Sequence, residues 1–415
     1  METLQPKLRF PEFEGNWRKV KLGDITTWAS GGTPSKNIPE FWNGEIPWIS
    51  ASSMRGLEYS NSEYKITEKG LKTGSKLAKK GSLLLLVRGS MLFNKIPIGI
   101  VTRDVSFNQD VKSIVIDDSS TSAYILQWFV SFEAVILNMV TGTGIGAGKL
   151  DTQDLKLLEL NLPSLKEQTK IANFLSSIDE KINLLKEKKA LLEEYKKGMM
   201  QKIFNQEIRF KDENGEDFEE WEGKTLGEVG EFQTSSVDKL VRKGEDEVYL
   251  VNYMNVYRHE SINNQNKLNL QIVTAKESQI NVNNLKKGDI LFTPSSETPD
   301  DIGHSVVIFE DLENCVYSYH LMRFRPKIKI DILYSHYFCN NSKVLSQISR
   351  LATGSTRFTI SVKSFSSINV NLPCLKEQTK IANFLSALDE KISLVATQIE
   401  DMQEYKKGLL QQMFV

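Results

Sequence analysis

The sequence is poor in the residues from which many active sites are built. It has three cysteines and four histidines in 415 residues. Cys315, Cys339 and Cys374 are odd in number and lack metal-ligand spacing, which points to free thiols in a reducing cytoplasm and to no metal site. His259, His304, His320 and His336 all lie in the second half, so they are not a duplicated catalytic set. HExxH, GxSxG and Cys-His signatures are absent, as are a nuclease carboxylate-lysine cluster and the Asn/Asp-Pro-Pro-aromatic motif of amino-methyltransferases. An excess of either charge is lacking too. A net charge of -1 marks an ordinary composition, not a strongly basic one, and leaves room for a local basic face. The opening "METLQPKLRFPEFEGNW" has no secretory leader pattern. The stretch "YILQWFVSFEAVILNMV" approaches spanning length, but Gln127, Ser131, Glu133 and Asn138 interrupt it, so it reads as an amphipathic helix. "TGTGIGAGKL" (Thr141 to Leu150) fails as a Walker A loop, because Thr143 stands where a glycine is needed and Leu150 follows Lys149. Gly142, Gly144 and Ala147 meet the looser dinucleotide pattern, but a helix precedes them and the strand-like "LKLLELNLP" follows. The segment reads as a turn rich in free N–H donors.

What the chain does have is a repeat. "NLPSLKEQTKIANFLSSIDEKI" begins at Asn161 and "NLPCLKEQTKIANFLSALDEKI" at Asn371. The copies differ only at Ser164/Cys374, Ser177/Ala387 and Ile178/Leu388. Weaker echoes flank them: "KKGSLL" and "KKGDIL", "WRKVKLGDI" and "WEGKTLGEV", "EYKKGMMQKIF" and "EYKKGLLQQMF". A period near 200 is too long for a solenoid and means a duplicated domain. The domains expected are 1–160 and 207–370, each followed by a repeated long helix at 161–206 and 371–415. The acidic run "DENGEDFEEWEGK" (Asp212 to Lys224) reads as a solvated link.

The variable stretches are rich in β-branched and aromatic residues and bounded by Gly, Asp or Pro. "GSLLLLVRGS", "GIVTRDVSF", "VKSIVID", "HSVVIFED" and "CVYSYHLMRFRP" read as strands. One helix is expected before each "TG" turn, "AYILQWFVSFEAVILNMV" and "ILYSHYFCNNSKVLSQISRL". The fold class is α+β with an antiparallel or mixed sheet. The repeated segments are helical, with Ser164 and Glu167 in capping-box spacing. Their apolar residues fall on a heptad: Ile171, Ile178, Leu185 and Leu192 at one position, Leu175 and Ile182 at the other. The second copy has Ile381, Leu388 and Val395, then Leu385, Ile392 and Ile399. Lysines enter at Lys189, Lys196 and Lys406, which weakens a seam and fixes register. Each copy alone suits an amphipathic helix on its own domain. Two copies favour two long antiparallel helices forming a coiled coil with a pseudo-two-fold axis, each of roughly 60 Å. The chain's start then returns near its C-terminal helix.

Two unlike heads on a fixed spacer suit double-helical DNA, whose grooves recur about every 34 Å. Here the chain resembles the DNA-specificity subunit of type I restriction-modification systems. The two "NLPxLKEQTKIANFLSxxDEKI" segments, the "EYKKG" helix ends and "GDITTWASGGTPSKNIPEFWNGEIPWIS" carry the resemblance. It implies two target-recognition domains, each reading half of a split target in the major groove, and no catalytic residues. It also implies two modification (methyltransferase) subunits carrying S-adenosylmethionine, with restriction subunits joining for cleavage. No cofactor is expected on this chain, no membrane is involved, and the location is cytoplasmic.

In the first domain the DNA-facing candidates are Gly31, Gly32, Thr33, Ser35 and Lys36 of "SGGTPSK", with the glycines allowing close approach and the rest donating to phosphate. Arg88, Ser90, Asn94, Lys95, Asn108, Gln109 and Lys149 join them. Trp42 and Trp48 complete the pattern, as packing or as stacking residues. The second domain has "GEFQTSSVDKL" in place of "SGGTPSK", and its candidates are Ser235, Ser236, Tyr253, Asn255, Tyr257, Arg258, Ser295, Ser296, His304, Arg357 and Lys363. Two rivals remain: a two-headed protein-protein scaffold, which predicts no salt-dependent DNA affinity, and an enzyme with an unrecognised site, which predicts turnover.

Overall fold

The structure, a computed structural model, describes residues 5–144 and 146–414. Residues 1–4 and 415 of the expected domain limits, and Ile145 of the glycine turn, lie outside the described residues. The chain forms two compact α+β units, Met1–Lys186 with Thr397–Val415, and Glu187–Ala396.

In the first unit, Arg18–Lys21 pairs antiparallel with Glu159–Leu162, which ties the start of the head to its exit. Between them lies a five-stranded sheet in the order Thr26–Ser30, Val111–Ile116, Leu83–Leu86, Ile98–Val101, Glu58–Tyr59. Leu83–Leu86 is fully buried, which is why it reads as an unbroken apolar run with no alternation. A four-stranded sheet follows the order Lys65–Ile66, Trp42–Ile49, Val105–Phe107, Lys76–Ala78. It is mixed, because Trp42–Ile49 and Val105–Phe107 run parallel.

The second unit repeats this plan. Glu222–Thr225 pairs with Asn369–Leu372. One sheet runs Gly230–Thr234, Met322–Pro326, Ile290–Phe292, Ser305–Val307, and the other Gln271–Ala275, Asp246–Val251, Leu312–Tyr317, Asn284–Leu285. The second sheet is mixed at the same place, Asp246–Val251 beside Leu312–Tyr317. Rings pack on the first of these sheets: Phe232 lies 4.7 Å from Phe324 and 5.1 Å from Phe365 between centroids.

The helix expected before each "TG" turn is broken in two. Ser122–Ser131 and Glu133–Leu137 part at Phe132, whose ψ of 7° departs from helical geometry. Ile332–Phe338 and Ser342–Leu351 part at Asn341, whose side chain accepts from Lys343 N and Val344 N and starts a new helix. "LKLLELNLP" likewise begins as the end of a short helix, Thr152–Leu157, before its strand.

The long helices are Leu165–Phe204 and Leu375–Met413. In the first unit Ile171, Leu175, Ile178 and Ile182 are buried in one core with Leu409, Leu410, Met413 and Phe414. Leu8 N donates to Gln412 O at 2.9 Å, so the chain's start returns to its last helix. In the second unit Ile381, Leu385 and Leu388 share a core with Ile203 and Phe204. Val395 is buried, while Leu185, Leu192, Ile392 and Ile399 are half-buried. Leucines off the heptad positions stay exposed, as Leu184 at 58% and Leu394 at 59% show.

Candidate nucleic-acid interface

Each head is held by the repeated segment beneath it. Glu167 is 1% exposed. Its carboxylate accepts from Arg9 Nε at 2.8 Å and Nη2 at 2.9 Å, and from Trp17 Nε1 at 3.3 Å. Glu377 repeats the arrangement with Arg209 Nη2 at 3.0 Å and Trp221 Nε1 at 3.0 Å. The carboxylate hydrogen bond raises the pKa of each guanidinium above its ordinary value. Glu167 therefore makes only half of the predicted capping box. Its N–H donates to Ser164 Oγ at 3.3 Å, but its side chain goes to the head. Gln168 Oε1 accepts from Ser120 Oγ and Thr121 N, and Gln378 Oε1 accepts from Asp331 N. Farther along, Lys406 Nζ meets Asp179 at 2.6 Å, and Gln127 Nε2 donates to the same carboxylate. In the second unit Lys196 Nζ meets Asp389 at 2.5 Å, and Tyr337 OH donates to it at 2.7 Å. Near-identity of the repeats thus follows from one task done twice. Each segment meets an arginine and a tryptophan ahead of the first head strand, the cap of a head helix, and a lysine.

On the first head, Gly31 and Gly32 are packed against their own domain. A Cβ on Gly31 would stand 2.1 Å from Phe107 O, and one on Gly32 2.3 Å from Gly74 O. The glycines let the loop press against the strand end at Phe107 and the helix end at Gly74, a packing reason beside the expected close approach. The two tryptophans hold the loop there, with Trp48 Nε1 donating to Gly32 O at 3.0 Å and Trp42 Nε1 to Ser35 O at 3.1 Å. With Tyr64, Lys36 and Lys65 they line an open cleft of about 440 Å³. Thr33 Oγ1 donates to Gln109 Oε1 at 2.6 Å, which joins two candidates from distant segments. Ser35 and Lys36 are exposed, and Asn108 is 7% exposed with Oδ1 accepting from Asp110 N.

The glycine turn folds back as Thr141–Gly142 on Gly148–Lys149, which pairs with Arg88–Gly89. This sets Arg88 opposite Lys149. Both are exposed, and neither has an ion pair among the described residues. Ser90 follows directly, and Asn94 and Lys95 are exposed at the end of the same short turn.

The second head gathers a different set. Tyr253 OH donates to Ser295 O at 3.0 Å, and Arg357 Nη2 to Ser295 Oγ at 3.0 Å. Ser296 Oγ and Tyr257 OH both donate to Asp301 Oδ2. His304 Nε2 lies 2.9 Å from Asp301 Oδ1, and its Nδ1 lies 3.1 Å from His259 Nε2. His259 Nδ1 in turn lies 3.1 Å from Ser305 O. Three ring N–H groups are needed to satisfy all three contacts. Partial burial pushes the pKa of His259 down, toward the neutral ring. Burial works to raise Asp301, but hydrogen bonds from His304, Tyr257 and Ser296 outweigh it and hold the carboxyl below its usual range. Ser295 and Ser296 are themselves buried.

The remaining candidates stand apart from this network. Ser235 Oγ donates to Tyr317 O, and Ser236 accepts from Gln279 Nε2. Asn255 caps its own turn and reaches Glu260. Arg258 and Lys363 are exposed. The sequence reading took His304 alone. Asp301 and His259 were missed, although Asp and His at i, i+3 in "DDIGHS" was a signal. Among the described residues no cluster of three or more His, Cys, Asp or Glu is placed to hold a metal, and no helix is long and apolar enough to cross a membrane.

The model of the type I restriction modification DNA specificity domain matches residues 14–194 and again 218–404. A specificity subunit of the type I restriction enzyme EcoR124I/EcoR124II of Escherichia coli is 34% identical over 43% of this chain and 45% of its own length. The chain thus spans about half of that relative. The type I restriction enzyme MjaVIII specificity subunit of Methanocaldococcus jannaschii is 27% identical over 97% of this chain and 92% of its own. The crystal structure of a type I restriction-modification S subunit from M. genitalium has a TM-score of 0.57 at 16% identity, covering 99% of both chains, a likeness of fold.

Proposed function

Because the chain belongs to the type I restriction modification DNA specificity family, we propose that it binds double-stranded DNA sequence-specifically, reading a split target with one half-site per head, and does no chemistry itself. The observation that supports this is one buried frame built twice under two unlike faces. Glu167 and Glu377 hold the heads alike, while the exposed groups differ. On the first head Arg88 and Lys149 offer cations to phosphate or guanine, and the Thr33–Gln109 pair offers an amide to a base edge. On the second, Tyr253, Tyr257, His304 and Arg357 present rings and donors already held by Ser295 and Asp301. In this reading residues 1–160 and 207–370 are the target-recognition domains. The spacers 161–206 and 371–415 seat two modification subunits, which carry S-adenosylmethionine, and restriction subunits join them in the cytoplasm. Selection of duplexes from a random-sequence pool by the full chain with its modification subunits tests the proposal. A gapped consensus with two unlike halves is expected. Uniform binding, or none, would leave the two-headed protein scaffold as the better account.

A further inference from the structure

The first head holds a second group of cations that the proposed readout does not use. Thr26–Ser30 pairs with Val111–Ile116 so that Ser30 lies opposite Lys112 and Trp28 opposite Ile114. Lys112 Nζ donates to Ser30 Oγ, one residue before Gly31. Trp28 spends its N–H on Thr26 Oγ1 at 2.7 Å, and Lys156 Nζ sits 6.0 Å from the centre of its ring. Lys76 lies opposite Phe107, whose carbonyl accepts from Gly32 N at 2.9 Å. Among the described residues none of the three lysines is in an ion pair. Lys112 is half-buried. Burial depresses its pKa, Asp110 opposes that, and the fields of Lys156 and Lys76 add to it. Like charges crowded in this way repel, and an anion among them removes the penalty.

The geometry points to a seat for a DNA backbone phosphate formed by Lys76, Lys112 and Lys156 beside the glycine loop. It rests on the DNA reading above and adds an asymmetry. At the matching register of the second head Thr234 faces Met322, which is 2% exposed, so the seat has no twin there. A phosphate held by ammonium groups releases counterions, so the seat has a salt signature independent of base sequence.

The test measures binding of labelled random-sequence duplex by the full chain between about 50 and 200 mM salt. The variant K76Q/K112Q/K156Q is expected to flatten the slope of log K against log salt by about 1 per lysine. The control K69Q/K79Q removes lysines already paired with Glu40 and Asp104 and is expected to keep the wild-type slope. K112M, which copies the second head, is expected to lose about 1 by itself and serves if the triple variant does not fold. A triple variant or K112M with the wild-type slope, or a control that falls as far per lysine, overturns the seat while the DNA reading stands. A wild-type chain that does not bind duplex at low salt overturns both.

Discussion

The two heads share a sheet register and differ in what they hang on it. In the first, Ser30 faces Lys112 and Trp28 faces Ile114; in the second, Thr234 faces Met322 and Phe232 faces Phe324. Where Gly31 presses against the carbonyl of Phe107, Ser235 donates its hydroxyl to the carbonyl of Tyr317. Phe107 and Tyr317 close matching parallel pairs, with Ile49 and with Val251. Beneath both heads the frame is nearly unchanged, because a buried carboxylate without its guanidinium is a large penalty. A face in water carries no such penalty for change. Conserved support and divergent surface are therefore what burial alone would produce in a duplicated chain.

The largest effects are expected in the frame. E167A and E377A each remove the buried carboxylate that a half-buried guanidinium and an indole N–H share, and each is expected to cost about 3 kcal/mol in thermal or urea unfolding. Similar losses for the two would support a shared frame; a loss at one only would break the comparison. The lysine ties come next, and they are unequal. The Lys406 side chain is 10% exposed and that of Lys196 is 21% exposed. D179A is expected to cost about 3 kcal/mol and D389A about 1, read by the same unfolding curves. G31A forces a Cβ into a carbonyl and is expected to cost about 1–3 kcal/mol, with tenfold or greater loss of recognition of one half-site. S235A removes two hydrogen bonds from the other head, to Tyr317 O and from Val237 N, and is expected to cost about 1–2 kcal/mol.

The smallest effect is a pH dependence confined to the second unit. Burial lowers the pKa of His259, His320 and His336. Above the ordinary imidazole value of 6.5 these rings are neutral in both states, and their contribution is fully present. As pH falls below that value the unfolded chain takes up protons that the folded one refuses, so stability is lost toward the depressed pKa values. A midpoint lower at pH 5 than at pH 7, with a smaller drop in H336N, is expected in calorimetry. A drop unchanged in H336N would remove that ring from the account.

Much of the frame was legible in the sequence. Heptad spacing named Ile171, Leu175 and Ile178, and all three are buried. Alternation and turn residues marked the strands. The clamp was not legible, because Glu167 sits at capping-box spacing and local rules cannot see Arg9, 158 positions away. The broken helices were hidden for a related reason. Apolar residues continue through Phe132, and only the Asn341 side chain betrays the second break. Of the faces, the sequence named residue types but not their partners. Thr33 with Gln109, and His304 with His259, meet only through the fold.

Exchanging residues 22–158 for the corresponding stretch of a relative with another target, while keeping Arg9, Trp17 and Glu167, tests the central claim most directly. Selection from random duplexes before and after the exchange is the measurement. One half of the consensus is expected to change while the other half and the gap between them stay fixed. A consensus altered in both halves, or in neither, would contradict the assignment of one half-site to each head.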